Sequence, residues 1–67
     1  MNAQRLKAAM VLRDFNVERL AKAIGISEST LYQKLGGKSD FTLTEVRAIE
    51  KTLVLDIKVS RAIFFDA

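Results

Sequence analysis

The sequence predicts an all-α domain of five helices with a helix-turn-helix at its centre, over residues 17–36. Three observations lead to this prediction. Every strong hydrophobic period has helical spacing, no proline interrupts the 67 residues, and polar capping residues or glycines divide the chain into segments of helix length. A chain of this length forms one domain, so we expect residues 1–67 to be a single folded unit.

The first helix is predicted over residues 3–13, which are rich in good helix formers. Leu6, Ala9 and Met10 share one face of this segment with Arg13. That face is expected to lie against the core.

The second helix is predicted over Val17–Ile24, with Asn16 as its N-cap because an asparagine side chain can accept from the free amides of the first turn. Leu20, Ala21 and Ile24 recur at helical spacing and form its inward face.

The connection to the third helix is very short. Gly25 ends the second helix, because glycine accepts the left-handed conformation without steric cost. Ile26 places an apolar side chain in the connection, and Ser27 is the N-cap of a helix predicted over Glu28–Leu35. The inward face of this third helix is formed by two leucines, Leu31 and Leu35.

The third helix ends at Gly36 and Gly37. A fourth helix opens with the capping box formed by Thr42 and Glu45, and is predicted over residues 42–55. Its apolar positions at helical spacing are Leu43, Val46, Ile49 and Leu53.

Residues 57–65 permit two predictions. Asp56 is a candidate N-cap for a fifth helix that ends near Phe65, whereas Ile57, Val59 and Ile63 also carry strand propensity. We favour the helix.

The residue types present argue against an enzyme. The chain has no cysteine and no histidine, so it lacks thiolates, the commonest metal ligand and the commonest general base at neutral pH. No apolar run is long enough to span a bilayer or to serve as a signal peptide. We therefore expect no cofactor, no metal, no small-molecule ligand and no membrane association. The net charge of +3 favours a polyanionic partner.

Two short helices joined by a glycine-containing connection have the geometry with which helix-turn-helix proteins bind DNA. The segments Leu20-Ala21, Gly25-Ile26-Ser27 and Ser29-Thr30-Leu31-Tyr32 closely resemble those of the phage repressor and Cro family, the XRE-like class. The resemblance extends over nearly the whole chain, from the first helix to the closing Ile63-Phe64-Phe65. It implies a five-helix, lambda-repressor-like DNA-binding domain that binds operator DNA, commonly as a dimer.

Four residues of the third helix are predicted to contact bases. The prediction depends on the family resemblance and on the outward face of this helix. The N-terminal part of such a helix enters the major groove. Glutamine can pair with adenine, glutamate can accept a hydrogen bond from cytosine N4, and serine can either donate or accept one. Glu28, Ser29 and Gln33 match the family positions that usually touch bases, and Thr30 is a flanking candidate. Glu28 also has a structural interpretation, as a first-turn acid that complements the helix dipole.

Phosphate contacts are predicted at the start of the second helix, on the third helix and in the loop that follows it. The free amides at the start of the second helix and lysine side chains are suitable donors. The predicted residues are Asn16, Val17, Tyr32, Lys34, Lys38 and Ser39, with Arg13, Arg19 and Lys22 as further candidates. The family often has glutamine where Val17 stands, so this chain offers only a backbone amide there.

We expect a sequence-specific transcriptional regulator of double-stranded DNA, a Cro-like repressor from a phage or prophage. It would act in the bacterial cytoplasm in association with the nucleoid, as a possible homodimer. The alternative is a protein-interaction module, an antirepressor or adaptor, that docks through Val59, Phe64 and Phe65. The two phenylalanines also have two interpretations, closure of the core or a dimer contact.

Overall fold

The computed structural model describes residues 1–65, so the last two residues of the predicted domain lie outside the described part. Within this range there are five helices and no strand, which confirms the all-α prediction and the helical interpretation of the C-terminal segment. The helices are α1 (Ala3–Leu12), α2 (Val17–Ile24), α3 (Glu28–Leu35), α4 (Leu43–Leu53) and α5 (Ile57–Phe64).

A polar side chain caps the start of each of these helices. In every case its oxygen accepts a hydrogen bond from the backbone amide three residues further on. The N-caps are Asn2, Asn16, Ser27, Thr42 and Asp56. Each such cap contributes about 1 kcal/mol of stability, and the local pattern therefore determines where the helices begin.

Two helices are shorter than predicted. α1 ends at Leu12 because Arg13 already leaves helical geometry as the C-cap. α4 begins after its N-cap Thr42 and ends at Leu53, since Val54 adopts the left-handed conformation with φ 53°.

The core lies where the helices converge. α2 packs against α3 and α4, and α1 packs against α5. The buried apolar side chains of the central cluster are Leu6, Met10, Leu20, Ala21, Leu31, Leu35, Ile49, Leu53 and Ile63. Burying a leucine or isoleucine contributes roughly 1.5–3 kcal/mol, so this cluster is the main stabilising feature of the domain.

The two ends of the described chain meet. The Asn2 amide donates to the Ile63 carbonyl oxygen at 2.6 Å. The Phe64 ring packs edge-on against Phe41, with ring centroids 5.7 Å apart. Phe65 is instead 60% exposed. The structure thus separates the two phenylalanines: Phe64 closes the core and Phe65 lies on the surface.

None of the described helices combines the length and the apolar character that a membrane crossing requires.

Candidate nucleic-acid interface

The turn between α2 and α3 is fixed by one carbonyl group. The Ala21 oxygen accepts hydrogen bonds from the amides of Gly25, at 2.9 Å, and Ile26, at 3.0 Å. This arrangement needs a left-handed residue after α2, and Gly25 supplies it with φ 79°. Ile26 packs against the core, so both the hydrogen bonds and an apolar contact hold the angle between the two helices.

The N-terminus of α3 is held by a pair of hydroxyl groups. The Ser27 oxygen accepts from the Thr30 amide at 3.0 Å, and the Ser27 hydroxyl donates to Thr30 Oγ1 at 2.8 Å. Thr30 is half-buried. Among the four predicted base-contacting residues, Thr30 is therefore the one whose side chain already forms a hydrogen bond within residues 1–65.

The exposed face of α3 carries the other three predicted base-contacting residues. Glu28, Ser29 and Gln33 are exposed, and their side chains form no hydrogen bond or ion pair with another part of residues 1–65. Tyr32 is 60% exposed on the same helix. The opposite face is buried, through Leu31, Lys34 and Leu35. The helix thus presents free polar groups on one side and is anchored by the other.

The N-terminus of α2 lies before the turn and carries two predicted phosphate-contacting residues. Asn16 is exposed, and its Oδ1 accepts from the Arg19 amide at 2.8 Å. Val17 is half-buried against the core, which leaves its backbone amide as the group it can offer.

Arg19 is restrained beside this terminus. Its guanidinium donates to the Asp14 carbonyl at 2.9 Å and lies 5.4 Å from the centre of the Phe15 ring. Arg13, another candidate, points elsewhere: its Nε donates to the Leu53 carbonyl at 3.0 Å. Arg13 therefore joins α1 to the end of α4, while Arg19 keeps a positive charge near the start of α2.

A Schellman motif ends α3 and sets the direction of the loop that follows. The Gly37 amide donates to the Lys34 carbonyl at 3.2 Å, and the Lys38 amide donates to the Gln33 carbonyl at 2.9 Å. Gly37 has φ 83°, as this motif requires. Lys38 and Ser39 follow at once and are exposed, as a phosphate contact needs.

Lys34 does not lie where the predicted phosphate contact needs it. The residue is only 8% exposed, and its Nζ lies 3.1 Å from Glu45 Oε1. The same ammonium donates to the Asp40 carbonyl at 2.9 Å and lies 5.8 Å from the centre of the Phe41 ring. Since the ammonium is turned inward and already paired, we correct the prediction and assign Lys34 a structural role.

The carboxylate of Glu45 is the centre of this cluster. It also accepts from the Thr42 amide at 2.9 Å, which completes the predicted capping box of α4. Burial by itself would raise the pKa of Glu45, but the hydrogen bond from Thr42 and the Lys34 ammonium outweigh it and lower the pKa below its ordinary value. The Glu45 carboxylate is therefore ionised at neutral pH.

The predicted protein-docking residues line two different concavities. Val59 lines a groove of about 610 Å³ between α1, α5 and the end of α4. Phe64 and Phe65 line another concavity beside Phe41 and Leu43.

No group of three or more histidine, cysteine, aspartate or glutamate residues among residues 1–65 is arranged to hold a metal ion.

These features define a small helical DNA-binding domain of the helix-turn-helix class. A family model described as the Cro/C1-type HTH DNA-binding domain matches residues 5–58, from α1 into the start of α5. The chain therefore belongs to the family of Cro/C1-type helix-turn-helix DNA-binding domains, and this confirms the resemblance to XRE-like proteins. No curated protein and no solved structure gave a significant match to the chain.

Proposed function

We propose that the protein is a sequence-specific transcriptional regulator that reads operator DNA in the major groove through the exposed face of α3. The observation that carries this proposal is the division of α3 into two faces. Glu28, Ser29 and Gln33 are exposed and free of partners within the described chain, whereas the opposite side of the helix is anchored in the core. A rigid helix with a free polar face is what direct readout of base edges requires.

Each exposed side chain has suitable chemistry. Gln33 can donate to and accept from the edge of adenine, and Glu28 can accept from the amino group of cytosine. Ser29 can serve as donor or acceptor. Thr30 completes the base-contacting set through the part of its hydroxyl not committed to Ser27.

Phosphate contacts at both ends of the helix-turn-helix would fix the orientation of α3. Asn16 and the Val17 amide lie at the start of α2. Lys38 and Ser39 are exposed just after the Schellman motif that ends α3, and Tyr32 is exposed on α3 itself. Such contacts release counterions, so the affinity should fall steeply as the salt concentration rises.

The biological role that fits is a Cro-like repressor of a phage or prophage, acting in the bacterial cytoplasm at the nucleoid. Such a protein represses by occupying an operator and excluding polymerase or a rival regulator. As a homodimer it would recognise a near-palindrome whose half-sites lie about one helical turn apart, roughly 34–36 Å. The free polar face of α3 supports DNA reading over the protein-docking alternative, whose residues line two different concavities.

Selection from a random duplex library tests the proposal. The protein is incubated with the library, bound duplexes are sequenced over several rounds, and the enriched duplex is titrated at two salt concentrations beside a scrambled duplex of equal composition. We expect an enriched near-palindrome, a preference of at least about a thousandfold over the scrambled duplex, and weaker binding at higher salt. Equal, weak binding to every duplex would contradict the proposal and favour the protein-interaction module.

A further inference from the structure

We propose that Lys34 is a positioning residue: it holds the loop of residues 36–41 in one conformation, so that Lys38 and Ser39 are already placed for the DNA backbone. This inference rests on the proposed function, since it concerns the phosphate contacts of the same interface. It assigns a role in DNA binding to a lysine that does not itself reach the DNA.

The loop is anchored at its first end by the backbone. The Gly37 and Lys38 amides donate to carbonyl groups of the last turn of α3, at 3.2 and 2.9 Å. These bonds fix the direction in which the chain leaves the helix, but they do not restrain Ser39 or Asp40.

The second end is anchored by the Lys34 side chain. Its ammonium donates to the Asp40 carbonyl at 2.9 Å, over the ring of Phe41. It also pairs with Glu45 at 3.1 Å, and Glu45 is bonded to the Thr42 amide. One side chain thus joins α3, the far end of the loop and the start of α4.

The energetic consequence follows from the position of Lys38 and Ser39 between the two anchors. Without the second anchor these residues would sample several conformations, and DNA binding would have to order them. Ordering such a side chain on binding lowers the affinity by about two- to tenfold, so a loop fixed in advance raises the affinity. The charge of Lys34 itself adds little to phosphate attraction, because Glu45 neutralises it at close range.

The test removes the anchor while keeping the fold. Lys34→Met alone would leave the half-buried Glu45 carboxylate without its cation, which destabilises the protein. The double variant Lys34→Met/Glu45→Gln removes both charges; methionine can still pack on Phe41, and glutamine can still accept from the Thr42 amide. Glu45→Gln alone is the matched control, since it retains the bond from Lys34 to the Asp40 carbonyl. It leaves the Lys34 ammonium without its anion, so thermal unfolding must first show that the control is folded, and the effect of Lys38→Ala is compared within each background.

Lys38→Ala is then introduced into the wild type, the control and the double variant, and each protein is titrated with the selected operator duplex over a range of salt concentrations. In the wild type and in Glu45→Gln, Lys38→Ala should weaken binding by about two- to tenfold and reduce the salt slope by about 1. In the double variant the affinity should already be lowered by a similar factor, and Lys38→Ala should add less than about twofold.

Additive losses, with Lys38→Ala equally harmful in all three proteins, would overturn the inference. A merely stabilising role for Lys34 predicts that additive result. The proposed function fails in a different way, if the wild type itself shows no preference for any duplex.

A measurement on the unmodified protein keeps the inference testable if the double variant does not fold. Backbone order parameters of residues 38–40, from relaxation of the free wild type, should be near 0.85, as in rigid backbone. Values below about 0.6 would show that the loop is not held before DNA binds, and would overturn the inference.

Discussion

The carbonyl oxygen of Ala21 accepts a hydrogen bond from the amide of Gly25 at 2.9 Å, and this bond helps to turn the chain from α2 towards α3. The geometry requires the positive φ of 79° at Gly25. A Cβ atom at this position would meet no heavy atom within 4 Å apart from those of the adjoining residues, so the requirement for glycine arises from the backbone conformation and not from crowding.

Gly25→Ala should therefore lower the free energy of unfolding by about 1–2 kcal/mol, because a residue with a Cβ is strained in the left-handed region. Gly25→Asn should cost less, since asparagine adopts this conformation more readily. Urea denaturation of the three proteins measures both differences. Equal stability of the alanine variant and the wild type would contradict the assigned origin of the turn.

Val54 is expected to be a position where substitution stabilises the protein. It ends α4 with φ 53°, which is unfavourable for a β-branched residue, and its side chain is 67% exposed. Val54→Asn should raise the free energy of unfolding by up to about 1 kcal/mol. Val11→Asn is the matched control: this valine is 77% exposed within α1, where the change should bring no gain. Lower stability of Val54→Asn than of the wild type would contradict the prediction, because it would show that the valine side chain contributes more stability than its positive φ costs.

The ion pair between Lys34 and Glu45 should make stability depend on pH. The pKa of Glu45 is lowered in the folded protein. Its ionised form therefore contributes stability above the pKa of the unfolded chain, and this contribution disappears as the pH falls through the lowered folded value.

Thermal unfolding of wild type and Glu45→Gln from neutral to acidic pH measures this effect. The wild type should be the more stable protein at pH 7, and the difference should shrink towards zero as the pH falls through the lowered folded pKa of Glu45. The exposed Glu18, also in the first turn of a helix, provides the control Glu18→Gln, which should change stability by less than about 0.5 kcal/mol. A difference between wild type and Glu45→Gln that is unchanged at acidic pH would contradict the ion pair.

Ser60 is a buried polar residue with a charged partner. It is 1% exposed, and its hydroxyl donates to the Glu50 carboxylate, which joins α5 to α4. Ser60→Ala should cost about 1.5–3 kcal/mol, because it removes a hydrogen bond to a charged group. Ser39→Ala, at an exposed site, should leave stability unchanged in the same denaturation experiment. If Ser60→Ala had the same free energy of unfolding as the wild type, the hydrogen bond would not be what stabilises the contact of α5 with α4.

Local signals explain why the helix-turn-helix could be predicted closely. Asn16, Gly25 and Ser27 act through hydrogen bonds or dihedral angles within a few residues, so the bounds of α2 and α3 can be inferred from short stretches of sequence. The end of α4 could not be inferred in this way, because Val54 has no intrinsic preference for the left-handed conformation that it adopts.

Lys34 shows where reasoning from sequence failed. A lysine in the last turn of a helix usually points to solvent, but this one lies three residues after Leu31 and next to Leu35, on the inward face. The helical spacing indicated burial. Its partners, the Asp40 carbonyl and Glu45, depend on how the loop and α4 pack, which the spacing of residues does not reveal.

The most direct test of the account compares wild type, Gln33→Ala and Gln4→Ala on the selected operator and on duplexes that carry each single base change. Gln4 is the matched control, because it is an exposed glutamine on α1, outside the helix-turn-helix. Gln33→Ala should lose about 1–3 kcal/mol of binding free energy on the operator and lose its preference at one base pair per half-site, while Gln4→Ala should bind as the wild type does. Unchanged base preferences in Gln33→Ala would contradict the central claim that the exposed face of α3 reads the DNA sequence.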